Sequence, residues 1–182
     1  MPIFGGAAAY SWFALRVKSN REKLVALALE CKGYEQFLPL YRIQRRWSDR
    51  LKDVELPLFA GYVFCRLDPT LRLPVLTIPG VVSLVGTTQK PLPVADEEIA
   101  ALQVIAGAGI PAEPWPFLRT GQRVRIERGA LRDLEGLLVE VKNQFRLVVS
   151  VNLLQRSVSV EVDRDSIQPL NTRPRANRAV AS

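Results

Sequence analysis

The segment from Leu58 to Phe64 constrains the fold of this chain most strongly. Every residue in it is apolar, glycine or tyrosine. The run is too short for a buried helix, so it predicts a strand at the centre of a sheet. Pro57 has no N–H to donate to a neighbouring strand and is expected where this strand begins. Gly61 lies inside the run and predicts a β-bulge or a close backbone contact there.

Two aromatic residues, Phe59 and Tyr62, lie on either side of this irregularity. If a bulge interrupts the alternation of side chains, one or both rings face outward and form a docking site for a partner. If both rings point inward, they belong to the core, which is the commoner position of an aromatic residue in a strand. The residue pattern alone leaves both alternatives open.

The composition excludes several classes of protein. The chain has 182 residues, 48% of them hydrophobic, which is enough for one medium core or two small ones. Its apolar runs fall well short of the ~20 residues that a membrane helix needs. The amino terminus lacks the basic start of a signal peptide. We therefore expect a cytoplasmic protein without membrane contact.

Catalysis and metal binding find little support in the sequence. The chain contains no histidine, which is the commonest general base and the commonest nitrogen ligand for zinc. It also lacks a Gly-x-Gly-x-x-Gly or phosphate-loop motif. The two cysteines, Cys31 and Cys65, have no metal-ligand spacing and are typical of small core residues in a reducing compartment. We expect no catalytic residue, no metal and no cofactor.

The positive charge is concentrated in two segments. The formal net charge is +7, of which residues 41–52 contribute +4 and residues 171–182 contribute +3, so the remainder is neutral. The cations of the first segment are Arg42, Arg45, Arg46, Arg50 and Lys52. Together with Tyr41 and Trp47 on one hairpin, they supply cations for phosphates and rings for bases, which predicts a nucleic-acid contact. The alternative is a hairpin whose charged face is only solvated.

The order of predicted elements indicates an α+β domain in residues 10–106. A strand in residues 10–17 precedes a helix, for which Ser19 and Glu22 have the spacing of a capping box. The expected apolar face of this helix contains Leu24, Leu27, Ala28 and Cys31. A polar hairpin over residues 37–56, the central strand, a short segment at 71–77, a strand at 81–85 and a helix from 96 to 107 follow. This order predicts one layer of helices on a mostly antiparallel sheet.

The second half of the chain has a different pattern. Residues 107–118 are rich in glycine and proline and are expected to form a flexible linker without regular structure. Strand patterns at residues 122–127, 134–142, 146–153 and 158–162, closed by 166–170, predict a small β-barrel in residues 119–170. Residues 171–182 have no apolar pattern and are predicted to form a disordered basic tail.

Three stretches of the sequence resemble the NusG family of transcription elongation and antitermination factors. They are Trp12-Phe13-Ala14-Leu15, Phe59-Ala60-Gly61-Tyr62-Val63-Phe64, and residues 121–138, which have the spacing of the family's KOW signature. Members of the family join an NGN domain to a KOW barrel. The resemblance implies an α+β fold in which an NGN-type antiparallel sheet with flanking helices is followed by a small SH3-like KOW β-barrel. In the signature, Val124 and Ile126 are expected to face the barrel interior.

The resemblance also implies where partners bind. In the family, the NGN domain docks on the clamp helices of the largest subunit of RNA polymerase through an apolar pocket, which corresponds here to Phe59, Tyr62 and Trp12. Residues 153–157 resemble a loop that contacts a ribosomal protein or the termination factor Rho in some members. That likeness implies a KOW partner site at Leu154 and Arg156, although only Arg156 of the family's Phe-Gly-Arg triplet is present.

The resulting expectation is a monomeric elongation or antitermination factor. It would bind the polymerase clamp, suppress pausing or termination, contact the DNA of the elongation complex through the hairpin cations, and recruit a second partner through the KOW domain. One alternative is a ribosome-associated RNA-binding protein, although such proteins usually spread basic residues over their surface. Another is an enzyme with a metal on Asp49, Asp53 and Glu55, although carboxylates among arginines favour surface ion pairs.

Overall fold

The computed structural model describes residues 10–47, 50–87, 90–118 and 121–170. The strands of these residues are β1 (Trp12–Val17), β2 (Gln36–Phe37), β3 (Leu40–Trp47), β4 (Arg50–Pro57), β5 (Tyr62–Arg66), β6 (Val81–Leu84), β7 (Pro93–Val94), β8 (Ala112–Trp115), β9 (Gln122–Ile126), β10 (Glu135–Val141), β11 (Gln144–Val151), β12 (Arg156–Val162) and β13 (Ile167–Pro169). The α-helices are α1 (Glu22–Cys31), α2 (Leu73–Leu76) and α3 (Asp96–Gly107). The predicted tail and the hairpin residues Ser48 and Asp49 lie outside the described residues.

The first sheet is antiparallel and has β1 near its centre, in the order β2-β5-β1-β6 with β7 also paired to β1. Alternate residues of β1 point to opposite faces, and both faces are buried. Phe13 and Leu15 pack with residues of α1 and α2, whereas Trp12 and Ala14 pack with residues of α3. The expected antiparallel α+β fold is confirmed, but the helices cover both faces of the sheet rather than forming one layer.

The central strand begins later than its sequence pattern predicts. Strand β4 ends at Pro57, residues 58–61 form a turn, and the sheet strand β5 starts only at Tyr62. The Tyr62 N–H donates to the Phe59 carbonyl oxygen at 3.0 Å, and Gly61 has a φ of +85°. A positive φ at the third position of a β-turn favours glycine. The expected continuous strand with a bulge is therefore wrong, because buried apolar residues in a turn have the same pattern as a strand.

Helix α1 is present, but its start and its buried face differ from the prediction. Its first turn has no side-chain cap, so the predicted capping box is wrong. The buried residues are Glu22, Val25, Ala26 and Leu29, whereas Leu24, Leu27 and Cys31 are exposed. Apolar residues occupy both sides of this helix, so periodicity alone does not select the side that faces the sheet.

Strands β3 and β4 form the predicted hairpin as a separate two-stranded sheet. Eight cross-strand pairs run from Leu40 opposite Pro57 to Trp47 opposite Arg50. The pairing is regular along both strands, so the face on which each hairpin side chain lies follows from the register.

The carboxyl-terminal strands form a six-stranded antiparallel sheet in the order β13-β9-β10-β11-β12-β8. Val124 and Ile126 are buried, as the KOW signature predicts. Strand β8 lies within the predicted linker, so the expectation that residues 107–118 lack regular structure is wrong at 112–115. Pro114 is tolerated because β8 pairs only with β12, at the edge of the sheet. None of the described helices is long and apolar enough to cross a membrane.

Candidate functional site

The turn at residues 59–62, called here the ring-bearing turn, carries both predicted docking rings. Glu22 Oε1 accepts a hydrogen bond from the Gly61 N–H at 2.8 Å, and the Glu22 side chain is buried. The Gly61 carbonyl oxygen accepts from the Val17 N–H at 2.9 Å. Contacts to α1 and β1 therefore fix both polar groups of the glycine backbone, and with them the positions of Phe59 and Tyr62.

The three predicted polymerase-binding residues have different environments. Phe59 and Trp12 are 1% and 2% exposed, and Tyr62 is half-buried. The Phe59 ring packs edge-on against Phe64 with ring centroids 5.6 Å apart. The Arg66 guanidinium lies 5.1 Å from the Trp12 ring centroid. In this arrangement Phe59 and Trp12 are core residues, which corrects the expectation of an outward-facing Phe59, and Tyr62 is the partly accessible ring.

The carboxyl-terminal sheet covers the flank on which the ring-bearing turn lies. The Arg156 guanidinium lies 5.2 Å from the Tyr62 ring centroid, and its Nη1 donates to the Ala60 carbonyl oxygen at 3.1 Å. On α3, Glu98 Oε1 accepts from the backbone N–H and from Nδ2 of Asn152, at 3.2 and 2.6 Å. The structure thus brings the predicted KOW partner residue Arg156 into contact with the predicted polymerase residue Tyr62, which the sequence did not indicate.

Apolar packing accompanies these polar contacts. One cluster of buried residues joins the first sheet, helix α3 and the carboxyl-terminal sheet; its members include Trp12, Phe59, Phe64, Ile99, Leu102, Ile105, Val149, Val151 and Leu154. Leu154, the other predicted KOW partner residue, is buried here. Apolar side chains of α3 and of the carboxyl-terminal sheet are therefore buried together on this flank.

The hairpin has two faces of different charge. Residues directly opposite each other on paired strands share a face. On the cationic face the register pairs Arg45 with Lys52 and Trp47 with Arg50. The opposite face, called here the mixed face, holds the pairs Arg42–Glu55, Gln44–Asp53 and Arg46–Leu51. The five predicted nucleic-acid cations are therefore divided, with three on the cationic face and two among the carboxylates.

Contacts of the hairpin side chains, with each other and with Lys23 of α1, reinforce this division. Arg42 Nε donates to Glu55 Oε1 at 3.0 Å, and Lys23 Nζ lies 3.8 Å from Glu55 Oε2. The Lys52 ammonium lies 5.8 Å from the Trp47 ring centroid, and the Trp47 side chain is 76% exposed. The carboxylates thus neutralise part of the mixed face, while the cationic face presents an exposed indole beside charged groups.

The predicted carboxylate site of the enzyme alternative does not form a cluster among the residues that the structure describes. Glu55 is paired with cations, and no group of three His, Cys, Asp or Glu side chains in these ranges is arranged to hold a metal. Asp49 lies outside the described residues. The described hairpin residues therefore form ion pairs and present cations, and they show no set of metal ligands.

The two cysteines differ in environment. Burial raises the pKa of the Cys65 thiol to about 12, with a smaller contribution from the nearby Glu35 carboxylate. The thiol is therefore protonated and poorly nucleophilic at neutral pH, as expected for a core residue of β5. Cys31 is exposed at the end of α1, so its predicted core position is wrong.

Comparisons with known proteins agree on one family. The family model described as "Transcription termination factor nusG" matches residues 10–103. The "Transcription termination/antitermination protein NusG" of Escherichia coli (strain K12) is 28% identical over 167 residues, which cover 88% of this chain and 92% of that protein. The protein of the same name from Buchnera aphidicola subsp. Baizongia pistaciae is 29% identical with the same coverage.

A solved structure has a fold similar to that of this chain. "Domain interaction in Thermotoga maritima NusG" aligns with 91% of this chain and 100% of that chain, with a TM-score of 0.56 and 22% sequence identity. At this identity the likeness concerns the fold. The family-model match lies before the carboxyl-terminal sheet, in the part of the chain that contains the ring-bearing turn and the hairpin.

Proposed function

Since the chain belongs to the NusG family of transcription factors, we propose that it binds transcribing RNA polymerase and suppresses pausing or termination. The observation that carries this proposal is the ring-bearing turn, in which Glu22 and β1 hold Phe59 and Tyr62 at one flank of the first sheet. The polymerase partner is the clamp of the largest subunit, and Tyr62, the partly accessible ring, supplies the aromatic contact.

The proposed action requires no chemistry by the chain itself. A protein that binds one state of the polymerase more tightly than another shifts the equilibrium toward the favoured state. Coupling energies of about 1–3 kcal/mol are usual and correspond to changes of roughly 5- to 150-fold. A difference of this size between the elongating and paused states is enough to shorten pauses.

The contact between Arg156 and Tyr62 imposes a condition on polymerase binding. Both residues are engaged with each other in this arrangement, so the polymerase and the carboxyl-terminal sheet compete for the same flank. Displacement of that sheet frees Arg156 and uncovers the buried Leu154 for a second partner, such as a ribosomal protein or Rho. The short chain segment between α3 and β8 then keeps this partner near the polymerase at a raised effective concentration.

The hairpin supplies a further contact with the elongation complex. Its cationic face is suited to phosphates of the DNA, which add affinity without reading sequence. The alternative of a ribosome-associated RNA-binding protein derives from the carboxyl-terminal barrel pattern and the basic tail. The family match, which covers residues 10–103, lies outside both and favours the transcription role.

Affinity for core RNA polymerase, measured with the full chain, tests the proposal. Tyr62→Ala is expected to weaken binding about tenfold or more, because it removes an aromatic anchor. Arg156→Ala is expected to strengthen binding severalfold, because it removes contacts that cover the flank. A misfolded variant would lose binding, so an increase in affinity for Arg156→Ala would also show that this variant is folded.

Arg132→Ala is the matched control, because Arg132 is another arginine of the carboxyl-terminal region and pairs with its neighbour Asp133. Its affinity for the polymerase is expected to equal that of the unaltered chain. Unchanged affinity for both Tyr62→Ala and Arg156→Ala would refute the proposed contact. Pause lifetimes in single-round transcription should follow the order of the affinities.

A further inference from the structure

The cationic face of the hairpin combines two features that phosphate binding alone does not need together. It carries Arg45, Arg50 and Lys52 without a carboxylate among its described residues, and it carries Trp47 at the end of β3. On the basis of this juxtaposition, we propose that the face binds single-stranded nucleic acid, with an unpaired base stacked on the Trp47 indole. The inference deepens the proposed function and rests on its hairpin contact.

The geometry of the hairpin places the ring and the cations within reach of neighbouring nucleotides. Trp47 and Arg50 form one cross-strand pair, and Arg45 and Lys52 form the next pair on the same face. Successive pairs on one face lie about 7 Å apart, since a strand rises about 3.4 Å per residue. A backbone that passes the Arg45–Lys52 pair therefore has its next base beside Trp47.

Exposure of Trp47 favours a binding role over a packing role. About three quarters of its surface is accessible. A tryptophan that stabilised the hairpin by packing would be largely covered. Lys52 lies over the indole at 5.8 Å, so the ring sits beside a cation as in sites where bases stack and phosphates are neutralised.

The same features select single strands over two other occupants. A duplex presents base edges and phosphates, and its base faces are hidden by stacking, so the indole has nothing to stack on. An acidic protein segment satisfies the three cations but leaves the exposed ring without a matching group. A single strand offers charge and flat ring faces to one surface.

Fluorescence anisotropy with the full chain and a labelled oligothymidylate at low salt tests the inference. Trp47→Ala is expected to weaken binding about tenfold, in line with the loss of one stacked base. Trp47→Phe should recover most of the affinity, because phenylalanine also stacks. With a duplex of matched length, Trp47→Ala should change affinity by less than about twofold.

Arg45→Glu and Arg46→Glu form a matched pair for the charge. The two residues are adjacent and exposed on β3, their substitutions change the net charge equally, and the register puts them on opposite faces. Arg45→Glu should weaken oligothymidylate binding severalfold more than Arg46→Glu, and high salt should reduce the difference. The positive charge of residues 171–182 is the same in both variants, so any contribution that it makes to binding is equal.

The outcomes separate this inference from the proposed function. If Trp47→Ala has no effect on single strands, or polyglutamate binding depends on Trp47 to the same degree, the inference is overturned. Equal losses from Arg45→Glu and Arg46→Glu also overturn it, whereas polymerase binding through the ring-bearing turn still stands. If the affinities for oligothymidylate and for oligouridylate both depend on Trp47, the inference is supported and the site takes single-stranded DNA and RNA alike. If only the affinity for oligothymidylate depends on Trp47, the inference is supported and the site is assigned to single-stranded DNA.

Discussion

Glu22 is the side chain that connects helix α1 to the ring-bearing turn. It is buried, and its Oε1 accepts the Gly61 N–H at 2.8 Å. We expect Glu22→Ala to lower the free energy of unfolding by about 1–3 kcal/mol, because the buried N–H loses its partner. Glu22→Gln, which keeps an acceptor oxygen, should cost less. Urea unfolding measures both free energies. Glu30, which is exposed on the same helix, serves as the control, and Glu30→Ala should change the free energy of unfolding by about 0.5 kcal/mol or less.

Equal losses from Glu22→Ala and Glu30→Ala would contradict this role. The sequence did not identify Glu22 as a support of the turn, because its spacing from Ser19 is also that of a capping box and its partner lies 39 positions away. By contrast, the inward positions of Val124 and Ile126 were predicted correctly, since alternation within one strand is a local signal.

At the scale of elements, helix α1 was predictable in existence but not in orientation. Leu29 is fully buried and Leu27 is 57% exposed, although the sequence assigned Leu27 to the packed face. We expect Leu29→Ala to cost about 2–5 kcal/mol through the cavity it leaves. Leu27→Ala should change stability by about 0.5 kcal/mol or less. Thermal or urea unfolding of the two variants measures these losses of stability. A larger loss for Leu27→Ala than for Leu29→Ala would mean that the face predicted from the sequence is the packed one.

Other elements were missed for reasons of the same kind. Leu58 and Phe59 of the turn at residues 58–61 are buried, so their apolar pattern was indistinguishable from that of the strand that follows. Strand β8 contains Pro114 and follows two glycines, and this composition indicated a linker. The strand forms nevertheless, because β8 lies at the edge of its sheet, where proline is tolerated. In both cases the tertiary surroundings, rather than local propensity, decided the element.

At the scale of the whole molecule, the sequence predicted two domains but gave no sign of their contact. Arg156 and Glu98 are charged residues of the kind that usually face solvent, and their partners lie far away in the chain. The contact joins residues of the two predicted partner sites, Arg156 and Tyr62. If polymerase takes the flank of the ring-bearing turn, the carboxyl-terminal sheet must leave it, and the two binding events are coupled thermodynamically.

Hydrogen exchange measures this coupling in the full chain. The Asn152 backbone N–H donates to Glu98 Oε1, and the Arg156 guanidinium, through Nη1, donates to the Ala60 carbonyl oxygen, so both contacts hold this segment against the first half of the chain. Addition of core RNA polymerase is therefore expected to speed amide exchange in residues 152–156 by about fivefold or more, the lower end of usual coupling energies. Strand β10, which is paired on both sides within the carboxyl-terminal sheet, should keep its exchange rates.

The Tyr62→Ala variant is the control. At the same polymerase concentration, the exchange rates of its residues 152–156 should stay unchanged. Slower exchange in residues 152–156 of the unaltered chain would mean that this segment is itself covered by polymerase, which would contradict displacement of the sheet.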